Sequence, residues 1–252
     1  MLRQPRSQDW TDVTDLSRTF GSQEVDPRER ERLVRDVFRR VARRYDLMND
    51  LMSFGIHRLW KHSLARAVAA EPGQVIIDLA GGTGDVAERV ARHDRRVVVV
   101  DPSVEMMLAG RESRPYTLRW VAGTAEAMPL PDAVADSVTI AFGIRNVTSM
   151  DAALREILRV LRPGGRLLCL EFSRPAQPLR APYELYNRWV IPRIGAMVAG
   201  DQSAYRYLVD SIRRFPDQEE MKAIIERAGF VDVHYRNYSF GIACLHIGSR
   251  PR

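Results

Sequence analysis

The stretch VIIDLAGGTGD, Val75 to Asp85, holds the residues best suited to grip a small ligand. An apolar run leads into Gly81, Gly82 and Gly84, and a helical pattern starts just beyond. Glycines at such a turn let the backbone bend tightly and let a ligand reach main-chain N–H groups without Cβ obstruction. Seventeen residues past Gly84, a second apolar run, RVVVVD, ends in Asp101. An acid in that place can accept hydrogen bonds from both hydroxyls of a ribose. A third run leads into GTAEAMPLPD, a polar and acidic loop suited to reading an adenine.

The turn reads G-G-x-G preceded by Asp78, and not the G-x-G-x-x-G of dinucleotide sites. That difference has chemical content. A pyrophosphate wants a helix N-terminus with no anion nearby. S-adenosylmethionine instead carries an ammonium and a sulfonium, so Asp78 and Asp85 beside the turn are tolerable or helpful. A glycine turn alone is shared with NAD enzymes, but turn, acid and loop together predict an S-adenosylmethionine site. Its residues are Asp78, Gly81, Gly82, Gly84 and Asp101.

The elements that must position this site follow from periodicity. VIIDLA, RVVVVD, LRWVAG, DSVTIAFG and GRLLCLEF are short apolar or β-rich runs, separated by helical stretches at Asp85 to His93, Val104 to Arg111 and Met150 to Leu161. Strands alternating with helices imply a parallel sheet wound on both faces. Asp217 to Ala228 reads as a helix, and the close, VDVHYRNYSF then GIACLHIGS, reads as a hairpin. The last strand therefore enters antiparallel. The expected fold is α/β: a Rossmann-like class I methyltransferase with a seven-stranded, mostly parallel sheet. Upstream, Arg28 to Arg44 has helical apolar spacing, and a second helix runs from the Tyr45 to Trp60 segment to about Ala70. Residues 1 to 26 are polar and read as a flexible terminus. Residues 27–252 read as one domain, with an N-terminal helical cap at 27–72 and a helical insertion at 174–217.

Two further motifs sharpen the reading. YDLMNDLMSFGIHRLW gives Y-D-x-M-N, then S, then H-x-x-W; RVLRPGGRLLCLEFS gives R-V-L-x-P-G-G, an apolar strand and E-x-S. With DLAGGTGD and AFGIRNV, these resemble the UbiE/MenG (COQ5-like) family of ubiquinone and menaquinone C-methyltransferases, from about Phe38 to the C-terminus. The resemblance implies cofactor contacts at Thr83, Asp101, Thr124 and Ala125. The family often has Asn-Ala where this chain has Thr124-Ala125, and Ser where it has Ala141. Thr124 keeps one hydroxyl but lacks an amide fork, and Ala141 offers no side-chain hydrogen bond.

The resemblance further implies methyl transfer to a ring carbon of a polyprenylated benzoquinol or naphthoquinol, with no metal. Such a ring needs its carbon held in line with the S–CH3 bond, a phenol relieved of its proton, and a group to take the ring proton. Arg145, in FGIRN after the fourth strand, sits where doubly wound sheets meet their ligands. It stabilises a phenolate or positions a water, the alternative being a structural arginine paired with a helix-entry acid. Asn146 orients the substrate oxygen or caps the turn. His57 is a base by residue type or a histidine holding the cap. Tyr45 and Asn49 are expected to shape the lid, and Tyr186, in the aromatic and aliphatic run PYELYNRWVIPRIGAMVAG, to meet the substrate. That run also suits a prenyl tail or an anionic membrane surface, or is an ordinary helical pair. The AFGIRN sequence replaces the N/D-P-P-Y turn of amino-methylating enzymes, which favours a carbon or oxygen acceptor.

Composition limits the rest. The 252 residues carry a formal charge of +6, yet only Lys61 and Lys222 are lysines, and the arginines are spread through every segment. Even spreading argues against a nucleic-acid patch. Cys169 and Cys244 fall far apart in apolar runs and are expected to be reduced and buried. No secretory core and no spanning run is present, so a soluble cytoplasmic protein is expected. Contact with the inner face of the membrane or a biosynthetic complex, and a homodimer, stay open. Two rivals also stay open: methylation of another small lipophilic acceptor, such as a sterol, phospholipid amine or phenol, and a non-methylating nucleotide-binding protein.

Overall fold

The computed structural model describes residues 15–21, 23–41, 50, 53, 55–91, 94–114, 118–177, 179, 183, 185 and 202–252, excepting the side chains of 40, 41 and 202–206. Two short strands, β1 (Thr19–Phe20) and β2 (Gln23–Glu24), precede helices α1 (Pro27–Val41) and α2 (His57–Val68). Then come β3 (Val75–Leu79), α3 (Asp85–Val90), β4 (Arg96–Asp101), α4 (Val104–Ser113), β5 (Arg119–Ala122) and β6 (Ala135–Ala141). A 3-10 turn (Ile144–Asn146) leads to α5 (Met150–Val160) and β7 (Leu161–Phe172). Helices α6 (Gln202–Arg214) and α7 (Gln218–Arg227) and the hairpin β8 (Val231–Tyr238) and β9 (Ala243–Ser249) complete the order.

The sheet runs β5-β4-β3-β6-β7-β9-β8, and β9 lies antiparallel to both of its neighbours. The expected architecture is therefore the observed one. Alternation explains why the central strands can be apolar throughout. Ile76, Val97, Val99, Leu168 and Leu170 point into one core, with Trp60, Leu64 and Val68 of α2 and Val86 and Val90 of α3. Their neighbours Ile77, Val100, Leu167 and Cys169 point into the other, with Met150, Leu154 and Ile157 of α5 and Ile224 and Ile225 of α7. A strand buried on both faces needs no polar side, which is the signature of a parallel sheet wound by helices.

The helices start where their caps say they should. Ser103 and Ser149 each accept a hydrogen bond from the backbone N–H three residues on, and Asp217 forms a capping box with Glu220. Helix α2 stops at Val68 because Ala69 turns left-handed at φ 43°, and α3 stops at Val90, short of the expected His93, which lies outside the described residues.

Part of the stretch expected to be a flexible terminus makes contacts with the rest of the chain. The Leu16 N–H donates to the Thr148 carbonyl at 2.9 Å, Asp15 bridges Ser149, and the Phe20 ring stacks on Tyr207 at 4.5 Å. Two apolar anchors in a polar stretch are too few to show as periodicity, yet enough to dock a short hairpin. Residues 1–14, and most of the expected insertion between 178 and 201, lie outside the described residues.

Candidate active site

The carboxyl ends of β3, β4, β5 and β6 open into one cavity of about 1220 Å3, including its mouth, roofed by the Arg30 to Phe38 face of α1. This is where a doubly wound sheet takes its ligand. Its wall includes Asp78, Gly81, Gly82, Thr83, Asp101, Thr124, Ala125, Ala141 and Asn146, so one place unites sequence positions spread over 69 residues. Gly84 stands just behind as the N-cap of α3, at φ 78°, a conformation that glycine adopts without strain. At Gly81, a Cβ would come within 2.8 Å of Asp78 Oδ2 and 2.9 Å of the Asp78 carbonyl, so the turn closes on this strand end only with a bare backbone.

Asp101 is buried, and each of its oxygens already accepts one backbone N–H, Oδ2 from Gly82 and Oδ1 from Ser103, both at 2.8 Å. Each oxygen retains an acceptor position, so the carboxylate can take two hydroxyls side by side. Burial pushes its pKa up to about 6, partly offset by those two N–H donors. Asp78 accepts from Thr139 Oγ1 at 2.9 Å and from the Ala87 N–H at 3.0 Å. Burial lifts it further, to about 7, against these hydrogen bonds and the nearby Lys61 charge. The loop after β5 is held from behind by Glu126, whose Oε1 accepts the Thr148 N–H at 2.6 Å, and by Arg159, which donates to the Met128 and Leu130 carbonyls.

A ligand with a ribose diol and a cationic tail fits these groups. Two spare acceptors on one buried carboxylate match the diol, and a second buried carboxylate is ready to ionise against a positive charge. The family follows from comparison: the ubiE/COQ5 methyltransferase family matches residues 26–250. The chain belongs to that family. It is an S-adenosylmethionine-dependent methyltransferase, and the cavity has the groups such a cofactor needs. It is 60% identical, over 94% of each chain, to a protein of Rubrivivax gelatinosus named as a ubiquinone/menaquinone biosynthesis C-methyltransferase. The fold matches an S-adenosylmethionine-dependent methyltransferase of Thermotoga maritima with TM-score 0.63 at 20% identity, over 86% of this chain and 99% of that one. It also matches Haemonchus contortus phosphoethanolamine N-methyltransferase 2, solved with S-adenosylhomocysteine, with TM-score 0.62 at 15% identity, over 87% and 61%.

The residues expected to act on the acceptor divide. Asn146 reaches the cavity wall; its Oδ1 accepts from Tyr207 Oη at 3.0 Å and its Nδ2 donates to the Phe142 carbonyl at 3.4 Å. Arg145 lies behind that wall, buried, donating to Glu171 Oε1 at 2.6 Å and to the Phe142 carbonyl at 2.7 Å. Its Nε, Glu171 Oε2 and Ser173 Oγ are buried with no hydrogen-bond partner among the described residues. Phe142 itself sits at φ 58°, an uncommon conformation for an aromatic residue and one that costs backbone strain at this corner. His57 is not on the wall. It opens α2, with Nδ1 3.0 Å from Ser53 Oγ and 3.6 Å from Asp50. Burial, helped by the Lys61 charge, lowers its pKa to about 4, so it stays neutral and is a weak base. Tyr45, Asn49 and Tyr186 lie outside the described residues.

Sequence reasoning passed over Arg30, Lys61 and Tyr207. Arg30 is buried on α1 and donates to the carbonyls of Thr19, Asn146 and Val147, tying the N-terminal hairpin, the cavity roof and the acceptor corner together. It looked like one arginine among many in PRERER. Only its place on the inward face of α1 marks it.

With Asp101 proposed to take the ribose diol and Asp78 a positive charge of the cofactor, both carboxyls are expected to bind it best when ionised, which sets a pH dependence. Asp78 near 7 and Asp101 near 6 are protonated as pH falls, which removes a counter-charge and an acceptor. Cofactor affinity therefore falls from pH 8 to pH 5, and binding at pH 7 releases protons. Calorimetry in buffers of different ionisation enthalpy reads the release directly. Asp78→Asn should abolish the upper step, and proton uptake in the parent would contradict the assignment.

Proposed function

We propose that this methyltransferase methylates a ring carbon of a polyprenylated quinol, 2-polyprenyl-6-methoxy-1,4-benzoquinol, demethylmenaquinol or both. The observation that carries the reading is near-full-length identity of 60% to a relative named for that step. The acceptor corner supports it physically. Asn146 and Phe142 stand on the cavity wall there, with the buried Arg145 guanidinium behind them, and the Phe142 ring packs tilted against the core rings of Trp60 and Phe172 at 6.3 and 4.6 Å. A flat, electron-rich ring suits a wall that includes Phe142, and nothing in AFGIRN cradles an amine.

S-adenosylmethionine, when bound, supplies an electrophilic methyl group on its sulfonium. The chain's residues prepare the ring. Tyr207 fixes the Asn146 amide, which orients a ring hydroxyl and holds the carbon in line. Arg145 sets a permanent positive charge beside the corner, which stabilises the phenolate or a water that takes its proton. Glu171, held above the ordinary carboxylate range by burial despite Arg145, keeps that guanidinium in place. A polyprenyl tail partitions into bilayers, which is the ground for proposing that the enzyme meets its acceptor at a membrane surface. No helix among the described residues is long and apolar enough to cross one.

The test is methyl transfer from labelled S-adenosylmethionine, with the two reduced quinols offered side by side. Label is expected on a ring carbon, and the ratio of rates assigns the preferred acceptor. No label on either quinol, with cofactor binding intact, would overturn the quinol assignment.

A further inference from the structure

All but two of the 38 basic residues are arginine, and one of the two lysines, Lys61, lines the cofactor cavity. It is 4% exposed, on the inner face of α2, and its Nζ donates to Asp85 Oδ2 at 2.9 Å. An ammonium has three donors. Only one is spent on a hydrogen bond among the described residues, which leaves two on a buried charge at the cavity wall.

A purely structural bridge between α2 and α3 explains this poorly. Asp85 is already paired through its other oxygen with Arg89, at 3.0 Å, and its pKa stays low although burial raises it, because Lys61, Arg89 and Arg114 surround it. Burying a lysine to serve a carboxylate that already has an arginine costs desolvation without need. The other cations on the wall are committed elsewhere. Arg30 donates to three backbone carbonyls, and Arg35 pairs with Glu31 at 2.8 Å. The anionic partners around the turn, Asp78 and Asp85, suit the cofactor's positive charges, but its amino-acid end also carries a carboxylate, which needs a cation.

We propose that Lys61 receives the carboxylate of the methionine moiety, with Asp85 holding the ammonium in place from behind. The site thereby recognises the whole zwitterionic tail, not just the nucleoside. This rests on the cofactor assignment and is independent of which quinol is methylated.

Calorimetry with two ligands tests it, S-adenosylhomocysteine and its decarboxylated analogue, which differ only in that carboxylate. Lys61→Met should weaken S-adenosylhomocysteine roughly 10- to 100-fold, the loss of one charge-assisted hydrogen bond, and leave the analogue within about twofold. Lys61→Arg, which keeps the charge, should recover part of the discrimination. Equal weakening of both ligands by Lys61→Met would reduce Lys61 to a structural bridge and overturn the proposal, as would no weakening of either. Thermal unfolding of each variant separates a folding defect from both results. Failure of the parent protein to bind either ligand would instead overturn the cofactor site itself.

Discussion

Asp101→Asn should weaken S-adenosylmethionine binding by roughly 100-fold, although it changes only one heavy atom. Both carboxylate oxygens receive a backbone N–H, from Gly82 and Ser103. An amide must set its NH2 against one of those donors, so one N–H loses its partner whichever way the group is turned. An unsatisfied buried donor costs about 1–3 kcal/mol. That cost is present with and without cofactor, so it lowers stability and loosens the glycine turn without entering the affinity. The affinity factor comes from the ribose: the NH2 cannot accept the hydroxyl that its oxygen would have taken, and losing a hydrogen bond to a charged acceptor costs about 1.5–3 kcal/mol. Calorimetry checks the affinity. A change below about fivefold would mean that the ribose does not meet this acid.

That expectation was legible in sequence, because everything it needs is local. The glycine turn, the strand before it and the acid closing the next strand are set by short-range spacing and by the alternation that builds a parallel sheet. The same holds for Asp78, one strand residue from its place in the turn. What could not be read comes from chain segments that only the fold brings together. Lys61 meets Asp85 across 24 residues, and Tyr207 meets Asn146 across 61. Neither lies in a motif whose spacing implies the other. His57 carried two readings, a base or a histidine holding the cap, and sequence could not choose between them. Its residue type suggests a base, but only burial beside Lys61 shows that it is neutral and holds Ser53 and the start of α2. For Arg145 one of the two readings was pairing with a helix-entry acid, and its partner is instead Glu171 at the end of β7. The strand that supplies Glu171 is next in the sheet, yet nothing in the sequence orients that side chain inward.

The largest stability effect is expected at this pair, and it should be asymmetric. Arg145 and Glu171 are 4% and 1% exposed, with nitrogen and oxygen 2.6 Å apart. Removing one partner of such a buried pair costs about 3–5 kcal/mol, because the other is left as an uncompensated charge. The two partners can respond differently. Arginine cannot shed its proton, so Glu171→Gln should take the full penalty at every pH. Glu171 already sits above its ordinary value of 4.5 through burial, and without Arg145 it rises further. In Arg145→Met it can therefore neutralise, and the penalty is smaller at low pH. A carboxyl whose folded pKa exceeds its unfolded one loses stability as pH rises through the folded value. The denaturation midpoint of Arg145→Met should thus fall relative to the parent as pH rises above the ordinary glutamate value of 4.5, while Glu171→Gln, with no carboxyl to titrate there, shows no such step of its own. Arg145→Met with Glu171→Met should recover most of the stability, since a packed apolar pair replaces two desolvated charges. Methyl transfer then separates the roles. A refolded double variant without activity would show that the guanidinium serves the acceptor ring, whereas an active one would leave Arg145 as scaffold only. Arg145 Nε, buried without a partner among the described residues, is the reason to expect the first outcome.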